Sequence, residues 1–212
     1  MSTYRLGLWA IFICAVVTIG CALHGQDVQQ LNANFKNQTP PALSLEIPDA
    51  RWEPLFFEAL EKHTKKAGIA SLRSMVLPDQ DLEVRFWYDH FEVIQGVIIR
   101  RSGEKWSASY LRQKSDHEVS LEQENLEAPK SGWNDAWNKL TSAGILVLPD
   151  GSAANCKSEV LDGIGYVVET NLNRKYRTYR YGNPQFSGCD EARRILAIES
   201  ILAEEFSLPR QK

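Results

Sequence analysis

Residues 161–184, LDGIGYVVETNLNRKYRTYRYGNP, predict one long β-hairpin, around which the rest of the chain is arranged. Apolar, aromatic and β-branched side chains alternate along both arms, and Gly, Asn and Pro residues bound the segment, a pattern typical of half-buried strands. The chain is expected to reverse within 171–173. The return arm then places Tyr176 on the face opposite to Tyr179 and Tyr181.

The segments upstream of the hairpin predict an antiparallel meander. Three alternating runs, at 82–88, 93–101 and 106–111, are separated by tight turns. A polar and acidic connector follows at 113–130, part of which is expected to form an edge strand at 117–121. These strands and the hairpin together predict a largely antiparallel sheet.

Apolar residues at helical spacing predict about three helices to cover this sheet. They are expected at 49–68 with Asp49 as its cap, from Ser131 to Gly144, and from a cap at Ser187 onward. A short buried strand is expected at 145–148. The sequence therefore predicts a single α+β domain, in which an antiparallel sheet (a meander plus a hairpin) is packed by these helices.

The N-terminal segment is typical of an export signal. Arg5 is the only charge in the first 26 residues, and an apolar run from Leu6 ends in small residues, which predicts a signal peptide over 1–22 that is cut after Ala22. The alternative is a lipoprotein acylated at Cys21, because the small Gly20 precedes it. We expect an exported chain, secreted or periplasmic, or else anchored to a membrane by a lipid.

The signal peptide is followed by a tether and then by the folded domain. Residues 23–48 are rich in Gln and Asn and have no apolar period, which predicts a flexible tether. The domain is expected to cover 49–212. An Ala-Gly-Ile tripeptide followed by Val-Leu-Pro-Asp occurs twice, which raises the possibility of two similar halves, 49–112 and 131–206.

Two cysteines of the predicted domain are candidates for a disulfide bond. Export places Cys156 and Cys189 in an oxidising compartment, where such a pair is expected to be oxidised. The alternative is two buried thiols, which the polar neighbours of Cys156 disfavour. We therefore predict a Cys156–Cys189 disulfide.

Motifs for catalysis, metals and cofactors are missing from the sequence. The four histidines are scattered, and there is no Cys-x-x-Cys, no phosphate-binding loop and no Gly-x-Ser-x-Gly element. Asp150 and Asp162 could form an acid–base pair, although such pairs are common. The net charge of −3 disfavours nucleic acid as a partner. We expect no metal and no cofactor, and catalysis is not favoured.

The hairpin and one residue of the meander supply the candidate binding surface. Aromatic and basic side chains that interleave can stack on and hydrogen-bond to a peptide or a glycan. The candidates are Trp87, Tyr176, Arg177, Tyr179, Arg180 and Tyr181. The alternative interpretation is that the tyrosines pack against the helices and the arginines pair across the sheet.

A set of short motifs resembles a known type of protein. The motifs are VLPD at 147–150, DG-x-G-Y-x-V-E at 162–169, YRTYRYGNP at 176–184 and a helix that begins with Glu191 and Ala192. They are similar to those of small secreted bacterial proteins with no assigned function, over roughly residues 140–206. The resemblance implies export and carries no activity and no catalytic residue.

Two functions remain after these exclusions. The first is an exported, non-enzymatic binding or envelope-associated protein, whose partner is a protein, peptide or glycan in the envelope or outside the cell. It would meet a membrane only through a lipid anchor. The alternative is a small secreted hydrolase that uses a pair of carboxylates.

Overall fold

The computed structural model describes residues 42–90, 93–113, 121–154, 156 and 163–209. The predicted signal peptide, the lipidation candidate Cys21 and most of the predicted tether lie outside these residues, as does Asp162. Leu43–Lys212 form one compact unit. Among the described residues, no helix has both the length and the apolar composition that crossing a membrane requires.

Within the described ranges, seven strands form one mixed sheet that three α-helices cover, which confirms the predicted α+β domain. The strand order is β1-β7-β6-β2-β3-β4-β5, and every neighbouring pair is antiparallel except β1 and β7. In chain order, the elements are β1 (Ser44–Glu46), α1 (Trp52–Lys66), β2 (Leu82–His90), β3 (Val93–Ser102), β4 (Lys105–Gln113), β5 (Leu121–Leu126), α2 (Trp133–Ala143), β6 (Gly165–Leu172), β7 (Lys175–Gly182) and α3 (Asp190–Glu205), with short 3₁₀ helices at Leu72–Ser74 and Pro184–Phe186.

The central hairpin forms as predicted, but its turn lies further along the chain than expected. Leu172 pairs with Lys175, so the two-residue turn consists of Asn173 and Arg174, whose φ angles are 52° and 58°. Two consecutive positive φ values match the right-handed twist of the flanking strands. Asn171, which was expected in the turn, is instead a fully buried strand residue.

The two faces of the sheet are both covered, but by different helices. On one face, the even-numbered residues of β2 pack with Leu140 of α2 and Ile195 of α3 in the larger core. On the other face, Phe56 and Leu60 of α1 pack on Trp87 in the smaller core. The Trp87 indole lies directly over Gly96 of β3, where even a Cβ atom would collide with it. This glycine therefore makes room for the tryptophan beneath α1.

The predicted end of α2 agrees with the structure, whereas the predicted helix starts do not. Gly144 terminates α2 with a φ of 99°, as its position after the apolar period predicts. The predicted N-caps, however, are wrong. Helix α1 begins after Arg51, with no side-chain cap in place of Asp49. Helix α3 begins after Cys189, whose sulfur accepts from the Ala192 amide, instead of after Ser187.

The structure adds two strands to those that were predicted and corrects one. Residues 144–147 form a turn and not the predicted strand. The carbonyl groups of Ile145 and Leu146 accept hydrogen bonds from side chains of β7, and not from the backbone of a strand. The edge strand of the structure is Leu121–Leu126. Of the edge strand predicted at 117–121, only Leu121 belongs to the described residues. Finally, Ser44–Glu46, which fell within the predicted tether, pairs in parallel with β7.

The predicted disulfide between Cys156 and Cys189 is present. The two Cα atoms are 5.6 Å apart, and the bond links the loop after α2 to the start of α3 across a separation of 33 residues. Glu191 lies beside it, and the three side chains bring potential metal ligands within 4.8 Å of one another. Because both sulfurs are engaged in the disulfide, these residues do not form a metal site in this state.

We expect loss of this disulfide to destabilise the domain. In the chain-entropy model, a 33-residue loop contributes about 3–4 kcal/mol to the free energy of unfolding. Urea denaturation should therefore show a loss of about 3 kcal/mol for the variant Cys156→Ser/Cys189→Ser. The control is a reductant, which should destabilise the natural chain and leave the double variant unchanged. An unchanged natural chain would contradict the prediction.

Candidate functional site

A cleft of about 520 Å³ lies between one side of α1, the segment that follows it and the sheet. The volume is within the range of small-molecule sites. We call this site the α1 cleft. Its lining residues are Glu53, Pro54, Phe57, Glu58, Leu60, Glu61, Thr64, Lys65, Ile69, Ala70, Ser71, Arg73, Arg85 and Glu169.

The segment that follows α1 is fixed by side chains from the sheet. The Asn171 side-chain amide donates to the carbonyl oxygens of Leu72 and Met75, at 3.3 and 2.7 Å. Arg85 donates from Nη2 to the carbonyl oxygen of Ala70 at 2.9 Å. A wall held by several buried hydrogen bonds stays in place without a ligand, so the cleft is preformed.

The floor of the cleft consists of two charged side chains from neighbouring strands. Arg85 of β2 and Glu169 of β6 are directly opposite in the sheet, and each is only 2% exposed. Charged side chains are almost never buried to this extent unless they are paired or hydrogen-bonded. Their partners therefore determine what the floor can do.

Arg85 belongs to a charged cluster around one carboxylate. Its Nε donates to Oε1 of Glu83 at 2.7 Å, and Nε of Arg100 donates to Oε2 of the same carboxylate at 2.6 Å. Glu83 is thus shared by two guanidinium groups, of which only that of Arg100 reaches solvent to a large extent. A buried carboxylate held in this way keeps the Arg85 side chain in one orientation.

Glu169 is held by two neutral donors. The Trp87 indole nitrogen donates to its Oε2 at 2.7 Å, and the Tyr176 hydroxyl donates to its Oε1 at 3.0 Å. Burial raises the pKa of Glu169, although nearby Arg85 and the two hydrogen bonds act in the opposite direction. Both carboxyl oxygens are therefore occupied in a site that disfavours negative charge.

An ion pair also lines the cleft. Arg73 donates from Nη2 to Oε1 of Glu53 at 2.6 Å, which links the segment after α1 to the first turn of the helix. The guanidinium of Arg73 lies 4.0 Å from the centroid of the Phe57 ring and 5.8 Å from that of Tyr176. These contacts add cation–π attraction to the ion pair.

The aromatic residues predicted to form a binding surface are inside the protein. Trp87 lies under α1, Tyr176 lies on the same face of the sheet beside Glu169 and Arg73, and Tyr179 and Tyr181 lie on the opposite face, as the alternation predicts. The last two donate to the carbonyl oxygens of Ile145 and Pro149. All four are at most 2% exposed, so none presents a ring to solvent. Their predicted role in binding stays a prediction.

The two predicted arginines of the hairpin are engaged by neighbouring groups. Arg177 donates from Nε to Glu46 of β1, and its two terminal nitrogens donate to the carbonyl oxygens of Leu146 and Leu148. Arg180 donates from Nε to Asp89 of β2 at 2.8 Å. Both guanidinium groups therefore hold loops and strands together, while Tyr176 is the one hairpin candidate that contacts the floor of the α1 cleft.

The main residues of the cleft were missed at the sequence level. Glu83 and Arg85 alternate with apolar residues of β2, a pattern that predicts a solvent-exposed row. Trp87 belongs to the same row of side chains. A large aromatic residue in such a row was the one indication in the sequence that a helix covers this face of the strand. Of the predicted carboxylate pair, Asp150 accepts from the Arg180 amide and from Ser152, and it does not line the α1 cleft.

Comparisons with protein-family models, with curated proteins and with solved structures found no match to this chain. The interpretation of the cleft therefore depends on its own geometry and chemistry.

We expect Glu169→Gln to change how stability depends on pH. A buried carboxyl with a raised pKa loses folding stability as pH rises above the ordinary glutamate pKa of about 4.3, because the folded state resists ionisation. The glutamine retains the shape and does not titrate. We therefore consider the free energy of unfolding of the variant minus that of the natural chain. This difference should increase with pH, by at most about 1.4 kcal/mol per pH unit.

The measurement is urea denaturation at several pH values between 4 and 8, spanning the ordinary glutamate pKa of about 4.3. Glu58→Gln, on the exposed side of α1, is the matched control for the loss of a surface carboxyl. If the difference between the free energies of unfolding of the variant and the natural chain decreased with pH, the prediction would be wrong. The effect of Arg85 and the two hydrogen-bond donors on the pKa of Glu169 would then exceed the effect of burial.

Proposed function

We propose that this chain is an exported binding protein and that the α1 cleft receives its ligand. The observation that carries the proposal is the floor of the cleft, where Arg85 and Glu169 are buried, oriented and adjacent to an open volume of about 520 Å³. Concave sites with a few fixed polar groups among apolar walls are typical of ligand-binding sites.

The hydrogen-bond network favours binding over catalysis. Both oxygens of Glu169 accept hydrogen bonds from Trp87 and Tyr176, which fixes the carboxyl group and restricts its approach to a substrate as a general acid or base. Arg85 is fixed by Glu83 and by the Ala70 carbonyl, which suits recognition of a ligand by a preorganised donor. A rigid floor of this kind is what a binding site requires.

A second candidate is a hydrolase that uses a pair of carboxylates. It is supported by the presence of Glu53 and Glu169 in one cleft, where burial raises the pKa of Glu169. It is weakened by the ion pair between Glu53 and Arg73, which engages the second carboxylate as well. We therefore consider catalysis the less well supported of the two functions.

Export is the second part of the proposal. It is supported by the apolar N-terminal run behind Arg5 and by the Cys156–Cys189 disulfide, because such bonds persist in oxidising compartments. We expect the intact mass of the native protein to correspond to a chain that starts at Leu23. A chain that starts at Cys21 with added acyl groups would show a lipid-anchored form, and an uncut chain would contradict export.

We expect small ligands to bind in the α1 cleft and not elsewhere on the domain. A library of neutral, cationic and anionic fragments, followed by ¹H–¹⁵N NMR, should shift resonances of α1, of residues 69–73 and of the strands at Arg85 and Glu169. Ala70→Trp should remove these shifts, because Ala70 is exposed and lines the cleft, so that the indole occupies its volume.

The matched control is Ala197→Trp, which places the same side chain on an exposed position of α3, on the opposite face of the sheet. Both variants should unfold within about 0.5 kcal/mol of the natural chain, since neither alters a buried position. Fragment shifts that cluster away from the cleft, or that persist unchanged in Ala70→Trp, would contradict the proposed site.

A further inference from the structure

The guanidinium of Arg85 has one amino group that the protein does not use. Its Nε donates to Glu83, and its Nη2 donates to the Ala70 carbonyl and lies 3.8 Å from the sulfur of Met75. Among the described residues, no group accepts a hydrogen bond from Nη1. This nitrogen is not sealed inside the protein, and the residue lines the α1 cleft, so Nη1 contacts the open volume.

An arginine nitrogen without an acceptor is unfavourable at this depth. Arg85 is 2% exposed, and a guanidinium offers five N–H donors that burial removes from most of the water. Because Nη1 has no acceptor among the described residues, its hydrogen bonds depend on what occupies the cleft. An acceptor group on a ligand would restore the missing hydrogen bonds, and a charged acceptor would do so most strongly.

The charge balance of the cluster points to an anion. Two guanidinium groups, those of Arg85 and Arg100, share the single carboxylate of Glu83, which leaves an excess of one positive charge. Glu169 is opposite Arg85, but its oxygens bond to Trp87 and Tyr176 and not to the guanidinium. Burial also raises the pKa of Glu169, which weakens its compensation of the Arg85 charge.

The walls and the rim restrict what else the ligand can carry. Phe57, Leu60 and Ile69 supply apolar surface above the floor. Glu58 and Glu61 supply negative charge on the α1 side of the same cleft, and Lys65 supplies a positive charge there. Because the floor offers one available arginine nitrogen and the walls are apolar, a singly charged group with an apolar body fits the cleft better than a phosphate dianion or a dicarboxylate.

We propose that the ligand of the α1 cleft is a monocarboxylate with an apolar body, and that Arg85 receives its carboxylate at the floor. This inference rests on the proposed function, because it assumes that the cleft is the binding site. It goes further by assigning the ligand class and the recognition residue. Because Nε and Nη2 are already engaged, Nη1 is the nitrogen available, and a carboxylate oxygen can accept a charge-assisted hydrogen bond from it.

The test compares matched probes on the unaltered, disulfide-bonded domain. The probes are 3-phenylpropionate, its neutral amide 3-phenylpropanamide, the dicarboxylate phenylsuccinate and inorganic phosphate, each titrated at neutral pH and followed by ¹H–¹⁵N NMR that includes arginine side-chain signals. We expect the monocarboxylate to bind at least about tenfold more tightly than the amide, as one charge-assisted hydrogen bond allows. The Arg85 side-chain signal should shift with the monocarboxylate alone.

The outcomes separate the ligand class from the site. Equal binding of the amide, or tighter binding of phenylsuccinate or phosphate, with shifts in the cleft would overturn the monocarboxylate and leave the cleft as the site. An absence of cleft shifts with these probes and with the fragment library would overturn both. Monocarboxylate binding that shifts residues elsewhere, with Arg85 unchanged, would overturn the assignment of Arg85.

A variant adds an independent test of Arg85. Glu83→Gln/Arg85→Gln removes the guanidinium together with its buried carboxylate partner; Arg100, which also loses that partner, can turn to solvent, and Glu169 keeps its hydrogen bonds from Trp87 and Tyr176. The double variant should bind 3-phenylpropionate no better than the amide. Arg112→Gln/Glu122→Gln removes an exposed ion pair between β4 and β5 and is the matched control, with the preference retained. The probe comparison on the unaltered chain decides the proposal whether or not the first variant folds.

Discussion

The antiparallel pairing of β2 with β6 is the constraint on which both the fold and the cleft depend. It joins two segments that are about eighty residues apart in the chain, and it attaches the hairpin to β2, the middle strand of the sheet. The same register sets Arg85 opposite Glu169. A shift of β6 by one residue against β2 would send Glu169 toward the larger apolar core on the other face, so the core and the polar floor favour the same alignment.

The two faces of β2 illustrate how one strand can serve two environments. Its even-numbered side chains enter an apolar core that α2 and α3 complete. Its odd-numbered side chains combine Glu83, Arg85 and Trp87 beneath α1. Burying such charges costs more than burying apolar groups, and buried ion pairs rarely add net stability. Their position beside an open cleft supports the proposed role in ligand recognition.

The hairpin has a structural role where the sequence suggested a surface. Its tyrosines pack on both faces of the sheet, and its arginines connect β1, β2 and the turn at 144–147. The sequence could predict the alternation, because a period of two follows from strand geometry. It could not predict that both rows are covered, because the burial of a row depends on where α1, α2 and α3 lie in space.

The sequence by itself determined the α+β class, the hairpin and its two faces, the end of α2 at Gly144 and the pairing of Cys156 with Cys189. Each of these follows from local periodicity, from backbone preferences or from the chemistry of a single residue pair. Only the tertiary structure decided that Glu83, Arg85 and Glu169 are buried and that Arg85 and Glu169 form the floor of a cleft. That placement results from the long-range pairing of β2 with β6 and from the docking of α1 over them, which no local pattern contains.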